Sequence, residues 1–229
     1  MLRVKLYGNL ISQPTRTLNE FCLLCNIPYD FIKLDIFNWE HKAKWYAEIN
    51  PYQLIPSISH GDFKLGETFA IIPYLAEYYH VNNQWYPSDL QKRSLINAYF
   101  HWQHLNIRRF VRLLVFEKFV GPMWKGLPPI TSERETEIRA DIAKTLQSIN
   151  DMLDNGKYIG RTQELSIADI ACYNEIAQMK IAAFNYSDWP KVKLWMEEIE
   201  KLEAVKTTMV GFKEVVDSLG FPSSNIIIN

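Results

Sequence analysis

Apolar residues alternate with polar ones in short runs within the first 66 positions, and from about residue 89 onward only helical spacing remains. A chain that changes period once in this way predicts a small α/β domain followed by an all-helical one. In RVKLYG, Val4 and Leu6 alternate with polar neighbours, a first strand that stops at Gly8. After a loop to Pro14, Leu18, Phe21, Cys22 and Cys25 recur at i, i+3, i+4 and i+7, an amphipathic helix opened by proline and ended by Asn26. YDFIKLD reads as a second strand, and a helical stretch runs from about His41 to Ile49. SIS and FKL flank a turn at His60-Gly61-Asp62, a hairpin that completes four strands. A last helix spans Thr68 to Tyr79, with a kink expected at Pro73 because proline removes a backbone bond.

Residues 1–80 therefore read βαβαββα, and a polar, proline-bearing linker occupies about 81–89. The second domain, 89–229, shows helical patterns at about 89–120, 132–154, 167–184, 189–202 and 205–218. Ser166-Ile167-Ala168-Asp169 has the spacing of a capping box, a folding signal for the helix that follows. The terminal run Ile226-Ile227-Ile228 has no assigned role.

Bulk properties narrow the function classes. The formal net charge of -1 over 229 residues provides no field to draw the chain onto nucleic acid or anionic membrane. No stretch of about 18 apolar residues is present to span a bilayer, and MLRVKLYGNL lacks the apolar segment of a signal peptide. Cys22, Cys25 and Cys172 form neither an even disulfide framework nor a zinc cluster. Together these point to a cytoplasmic protein that meets neither nucleic acid nor membrane.

LYGNLISQPTR, INPYQLIP, GETFAIIPYLAEYY, WYPSDLQKR and GRTQELSIAD, in that order, resemble the cytosolic glutathione transferases, most closely their theta class. Ser12 to Arg16 (Ser-Gln-Pro-x-Arg) and Trp85-Tyr86-Pro87-Ser88-Asp89-Leu90 carry the theta character, and the match covers nearly the whole chain. The resemblance implies a thioredoxin-like N-terminal domain, a helical-bundle C-terminal domain, a homodimer, and glutathione as co-substrate for small-molecule electrophiles.

The chemistry would run through the glutathione thiol, whose thiolate is the nucleophile and is only a few per cent ionised at neutral pH when its pKa is near 8.5. Ser12 precedes a helix start, where a hydroxyl donor and helix-end amides both favour the anion. Its structural alternative is a simple N-cap. Tyr7 is the rival activator, since other transferase classes use a tyrosine from this strand. The resemblance further implies that Ile55-Pro56 is a cis-proline element whose first residue pairs with the cysteinyl backbone of glutathione. It gives the γ-glutamyl carboxylate to Glu67-Thr68 and the glycyl end to His41. Leu54 stands where many relatives carry a lysine, and Leu105 where a theta-like aspartate would reach across the dimer; Gln53, Lys42 and Lys44 are the residues that could compensate. Arg108 and Arg112, with Phe116, are assigned to the electrophile pocket, alongside apolar surface from Tyr99, Trp102 and Phe119.

Two other constellations carry no site. Cys22-Leu-Leu-Cys25 belongs to the apolar stripe of its helix rather than to a redox centre, whose first cysteine belongs at a helix N-terminus. His101 and His104 lack a third ligand at metal spacing, so no metal is expected. The reading is a theta-like transferase, with peroxide reduction or dehalogenation by the same thiolate. The alternative is a non-catalytic binding or scaffold protein that kept the fold, and a glutaredoxin-like oxidoreductase is opposed by serine at position 12.

Overall fold

The computed structural model describes residues 2–154 and 158–226, so Ile227 and Ile228 of the terminal run lie outside the described residues. The chain divides into two compact units, Met1–Pro87 and Ser88–Asn229.

The first unit contains β1 (Val4–Gly8), α1 (Gln13–Leu24), β2 (Tyr29–Lys33), a 3-10 turn at Glu40–Lys42, α2 (Lys44–Ala47), β3 (Ser57–His60), β4 (Phe63–Gly66) and α3 (Thr68–Tyr79). The order is the βαβαββα read from the sequence. Between His41 and Ile49, however, the helix is only a 3-10 turn and a single α-turn, interrupted at Ala43, whose backbone is extended (φ -66°, ψ 150°). The sheet runs β2-β1-β3-β4, with β1 parallel to β2 and antiparallel to β3, and β4 antiparallel to β3. Register sets Leu6 beside Phe31 and Ile58, and Tyr7 beside Ile32 and Ser57. Because strand side chains alternate, Tyr7 packs with Leu34 and Tyr46 on one face, while Val4, Leu6 and Gly8 face the other. That second face receives α1. A Cβ on Gly8 would stand 2.5 Å from Thr15 Cγ2, so only glycine lets the first turn of α1 approach β1 this closely. Helix α3 packs against α1 and continues through Pro73.

Residues 81–87 belong to this first unit, where Trp85 and Tyr86 are buried.

The second unit is helical among the described residues: α4 (Leu90–Leu105), α5 (Ile107–Val115), a π-helical segment at Phe116–Val120, α6 (Gly121–Lys125), α7 (Ser132–Met152), α8 (Ile167–Ala177) followed by a 3-10 turn at Gln178–Ala182, α9 (Pro190–Ile199) and α10 (Glu203–Ser218). The single helix expected over 89–120 is corrected to three pieces. At Asn106 the backbone leaves the helical region (φ -113°, ψ -111°), and the amide Nδ2 donates to the Trp102 carbonyl at 2.7 Å. Its side chain thus takes the acceptor that its own N–H would use in a continuous helix. Pro122, without an N–H, stands just beyond the π segment, where the α-helical bonding pattern cannot be completed.

Helix α8 is buried along its whole length and contacts α4, α5 and α9. Such a helix, buried on all sides, forms the axis of a core. Its N-terminus carries the expected capping box, and the buried Asp169 carboxylate does more than cap. Oδ2 accepts from the Ser166 N–H and hydroxyl, both at 2.9 Å, while Oδ1 accepts from the Ile159 N–H and Trp195 Nε1, both at 3.0 Å. Burial pushes this carboxyl up to about 6, against the pull of the four donors. Asp169→Ala would orphan several buried donors, each costing about 1–3 kcal/mol, so urea unfolding is expected to show a loss above about 3 kcal/mol.

Candidate functional site

In the first unit, three chain segments converge beside the end of β1. The first is the loop Asn9–Ser12. Asn9, almost fully buried, donates from Nδ2 to the Leu34 carbonyl at 2.9 Å and accepts the Ile11 N–H on Oδ1 at 3.1 Å, while its carbonyl accepts the Ser12 N–H at 3.0 Å. Arg16, with no exposed surface, reaches back from α1 to the carbonyls of Leu10 at 2.9 Å and Ile11 at 3.2 Å. Loop and helix are thereby locked together. The sequence shows Arg16 as part of a motif, but its task, bracing the loop that carries Ser12, emerges only from these contacts.

Ser12 is the N-cap residue of α1, with extended backbone (φ -83°, ψ 122°). Its hydroxyl makes no capping bond, so the simple cap reading is not how this side chain is used. It stays half-buried at a helix N-terminus, where donor and dipole both favour an anion. Tyr7 differs. Its hydroxyl lies 3.3 Å from Ser59 Oγ and its ring packs among Trp45, Tyr46 and Leu34, a structural placement in the sheet.

The second segment is Gln53–Pro56. The Ile55–Pro56 peptide is cis. The Leu54 carbonyl accepts from Tyr46 Oη and Asn50 Nδ2, each at 2.8 Å, and Tyr46 Oη also meets Ser57 Oγ at 2.7 Å. Ile55 is thus held rigidly, while its own N–H and C=O take no partner among the described residues. A backbone edge left open in this way suits an extended peptide ligand. The Leu54 side chain is half exposed and carries no polar group. Next to it, Lys42 Nζ donates to the Gln53 carbonyl and Gln53 Nε2 to the Lys42 carbonyl, both at 2.9 Å. Lys42 is therefore tied down beside the lysine-less position.

The third segment is the start of α3. Glu67 is its N-cap and has positive φ (66°, ψ 107°), a backbone state that costs a non-glycine residue free energy and is typical of functional sites. Thr68 is buried, and its hydroxyl donates to the Pro14 carbonyl at 3.2 Å. This bond ties α3 to the first turn of α1. The first-turn amides of α3 stand beside this hydroxyl as further donors for an anion. His41 stacks on Trp39 (5.8 Å between ring centroids), and its buried Nδ1 has no partner among the described residues. Desolvation, then the Lys42 cation, hold its pKa below the usual histidine range, which favours neutral imidazole.

In the second unit, Arg108 and Arg112 lie one turn apart on α5, with Phe116 at its end. Arg108 Nη1 lies 2.6 Å from Oε1 of the buried Glu175, an ion pair within the second unit. Arg112 is exposed and lies 5.9 Å from the Phe116 ring centroid, which Lys125 also approaches at 5.4 Å. Cys22 is buried, and burial pushes the Cys25 thiol up to about 12, well away from reactive thiolate chemistry. Among the described residues no group of three or more His, Cys, Asp or Glu side chains is placed to hold a metal ion, and no helix is long and apolar enough to cross a membrane.

Residues 6–83 match the family described as glutathione S-transferase, N-terminal domain. Theta-1 transferase from Bos taurus is 30% identical over 86% of this chain and 82% of its own, and theta-1 from Rattus norvegicus is 32% identical over 76% and 72%. This chain belongs to the glutathione transferase family, in its theta class. The apo form of human glutathione transferase T1-1 superposes with a TM-score of 0.82 at 29% identity, covering 94% of this chain and 89% of that one. Human theta-2, in complex with glutathione and an unknown ligand, reaches 0.86 at 25% identity over 96% and 93%. The thioredoxin-like first unit, the helical second and glutathione as co-substrate of a transferase stand on these matches.

The Arg16 brace is testable as a positioning device. Lysine keeps the charge but not the rigid planar guanidinium whose Nη1 reaches both carbonyls. Arg16→Lys is expected to lower kcat/KM for glutathione conjugation by about tenfold or more, as a misplaced reactive group does. Wild-type rates would show that the guanidinium is dispensable.

Proposed function

We propose that this transferase conjugates the thiolate of glutathione, stabilised by Ser12, to small apolar electrophiles, with peroxide reduction and dehalogenation as further reactions of the same thiolate. One observation carries the reading: the Ser12 hydroxyl sits at the N-terminus of α1 and is not spent on capping it. Lowering the thiol pKa by about two units needs roughly 2.7 kcal/mol. A charge-assisted hydrogen bond of about 1.5–3 kcal/mol with a helix-end contribution of about 0.3–1 kcal/mol meets that requirement, and Ser12 need not act as a base.

In this reading the cysteinyl backbone of glutathione pairs with Ile55 before Pro56, the γ-glutamyl carboxylate takes the first-turn amides of α3 at Glu67-Thr68, and His41 meets the glycyl end. Leu54 contributes only its backbone. Arg108, Arg112 and Phe116 line the electrophile pocket. We assign the chain to the cytoplasm as a homodimer. Three free cysteines fit a reducing compartment, and Leu105, 72% exposed at the end of α4, is a large apolar side chain that a second copy would cover.

The competing reading, a non-catalytic binding or scaffold protein, is favoured by the absence of a lysine at 54 and an aspartate at 105. Ultraviolet difference spectra of bound glutathione across pH separate the two. Wild type is expected to show a thiolate band titrating about two units below the free thiol, and Ser12→Ala to move that titration up by about one to two units with a 10- to 100-fold loss of kcat/KM. Absence of the band in wild type would favour the scaffold.

A further inference from the structure

Two tryptophans flank His41 in the sequence, and both leave much of the ring in water: Trp39 is 53% exposed and Trp45 42%. Exposed apolar surface of this size calls for a partner. Trp39 also holds a left-handed backbone (φ 61°, ψ 24°), an uncommon state for so bulky a residue. Hydrogen bonds on both sides maintain it, the Trp39 N–H donating to the Ile36 carbonyl at 3.3 Å and its carbonyl accepting the Lys42 N–H at 2.7 Å. The indole stacks on His41. Trp45 packs on Tyr46, 5.6 Å between ring centroids, and Tyr46 in turn holds the Leu54 carbonyl.

The two reciprocal bonds between Lys42 and Gln53 fasten this segment to Leu54, whose side chain is 51% exposed. Trp39, His41 and Leu54 thus stand on neighbouring segments, at the end of the site that the proposed mode gives to the glycyl residue. Charge is scarce there. The Lys42 ammonium is bound to the Gln53 carbonyl, and His41, desolvated and next to Lys42, favours its neutral form. Lys44, past the extended Ala43, is exposed and is the cation of the 39–54 stretch not tied to a carbonyl among the described residues.

We infer that this end of the site selects thiol peptides whose C-terminal end is uncharged and apolar, γ-glutamyl-cysteinyl compounds capped as amides or aromatic esters, with Leu54 and Trp39 setting the preference. The inference rests on the glutathione mode proposed above. A carboxylate placed against leucine and indole surface loses water and gains no ion pair, whereas an apolar cap covers that surface and an aromatic one can stack on the indole.

Calorimetric titration of the full-length protein with S-methylglutathione, its glycyl amide and its glycyl benzyl ester tests the inference. Blocking the sulfur keeps thiolate activation by Ser12 out of the measurement. The amide is expected to bind within about twofold of the free acid, and the benzyl ester about tenfold more tightly than either. Trp39→Ala should remove the ester's advantage and leave acid and amide as they were. Leu54→Lys should tighten the acid alone, by about tenfold. Lys44→Met should leave the ratio of acid to amide unchanged. All three residues are exposed, so the variants are expected to fold, with thermal melting as the check. Tighter binding of the acid than of the amide by about tenfold, an ester no tighter than the amide, or loss of acid affinity in Lys44→Met would each overturn the inference while leaving the glutathione mode standing. If none of the three ligands binds, the mode itself fails and the inference with it.

Discussion

The buried guanidinium of Arg16 is the contact on which the first unit's chemistry rests. A fully buried charge is tolerated only when hydrogen bonds replace water, and here the carbonyls of Leu10 and Ile11 supply them. The same bonds fix the loop that ends at Ser12. From the other side Asn9 ties that loop to the end of β2, and the bare face of Gly8 lets Thr15 close down on β1. Helix α1 therefore delivers its N-terminus to one place. Thr68 fastens α3 to Pro14 in turn, so that the start of a second helix is brought beside the start of the first.

Two helix N-termini and an unpaired strand-like edge at Ile55 give the site its character. Each is an unsatisfied set of backbone groups, which the proposed mode assigns to different parts of a short acidic peptide carrying a thiol. Side chains mostly hold backbone in position here. The proposed role of the half-buried Ser12 hydroxyl rests on that division: the neighbouring amides and dipole are fixed before a ligand arrives, so little reorganisation would be needed when an anion forms there.

Much of this was legible in the residues, for reasons that differ by element. Helix α3 has the bounds read from the sequence because a turn precedes it and its apolar spacing is regular, and the hairpin follows from the His60-Gly61-Asp62 turn. The break at Asn106 was hidden because a lone asparagine does not by itself end a helical pattern, and only its Nδ2 bond to Trp102 reveals competition with the backbone. Commitments between distant residues were equally invisible. Thr68 and Pro14 lie 54 positions apart, Arg108 and Glu175 lie 67 apart, and in both pairs a group expected to face a ligand is engaged by the protein. Local pattern reports what a residue could do, whereas its partner decides what remains available.

The same distinction bears on Leu54. In the proposed mode a leucine there leaves the glycyl end without a cation, and Lys42 is not free to replace it because its ammonium already holds the Gln53 carbonyl. Losing one such contact weakens binding by about 1–2 kcal/mol, roughly tenfold. In the proposed mode the thiolate is stabilised elsewhere on the tripeptide, at its central cysteinyl residue, through Ser12 and α1. Ground-state affinity and nucleophile activation are thus carried by separate groups, and weakening the first does not require weakening the second. A chain with leucine at 54 can hold its co-substrate loosely, with KM raised, and still ionise the thiol once it is bound.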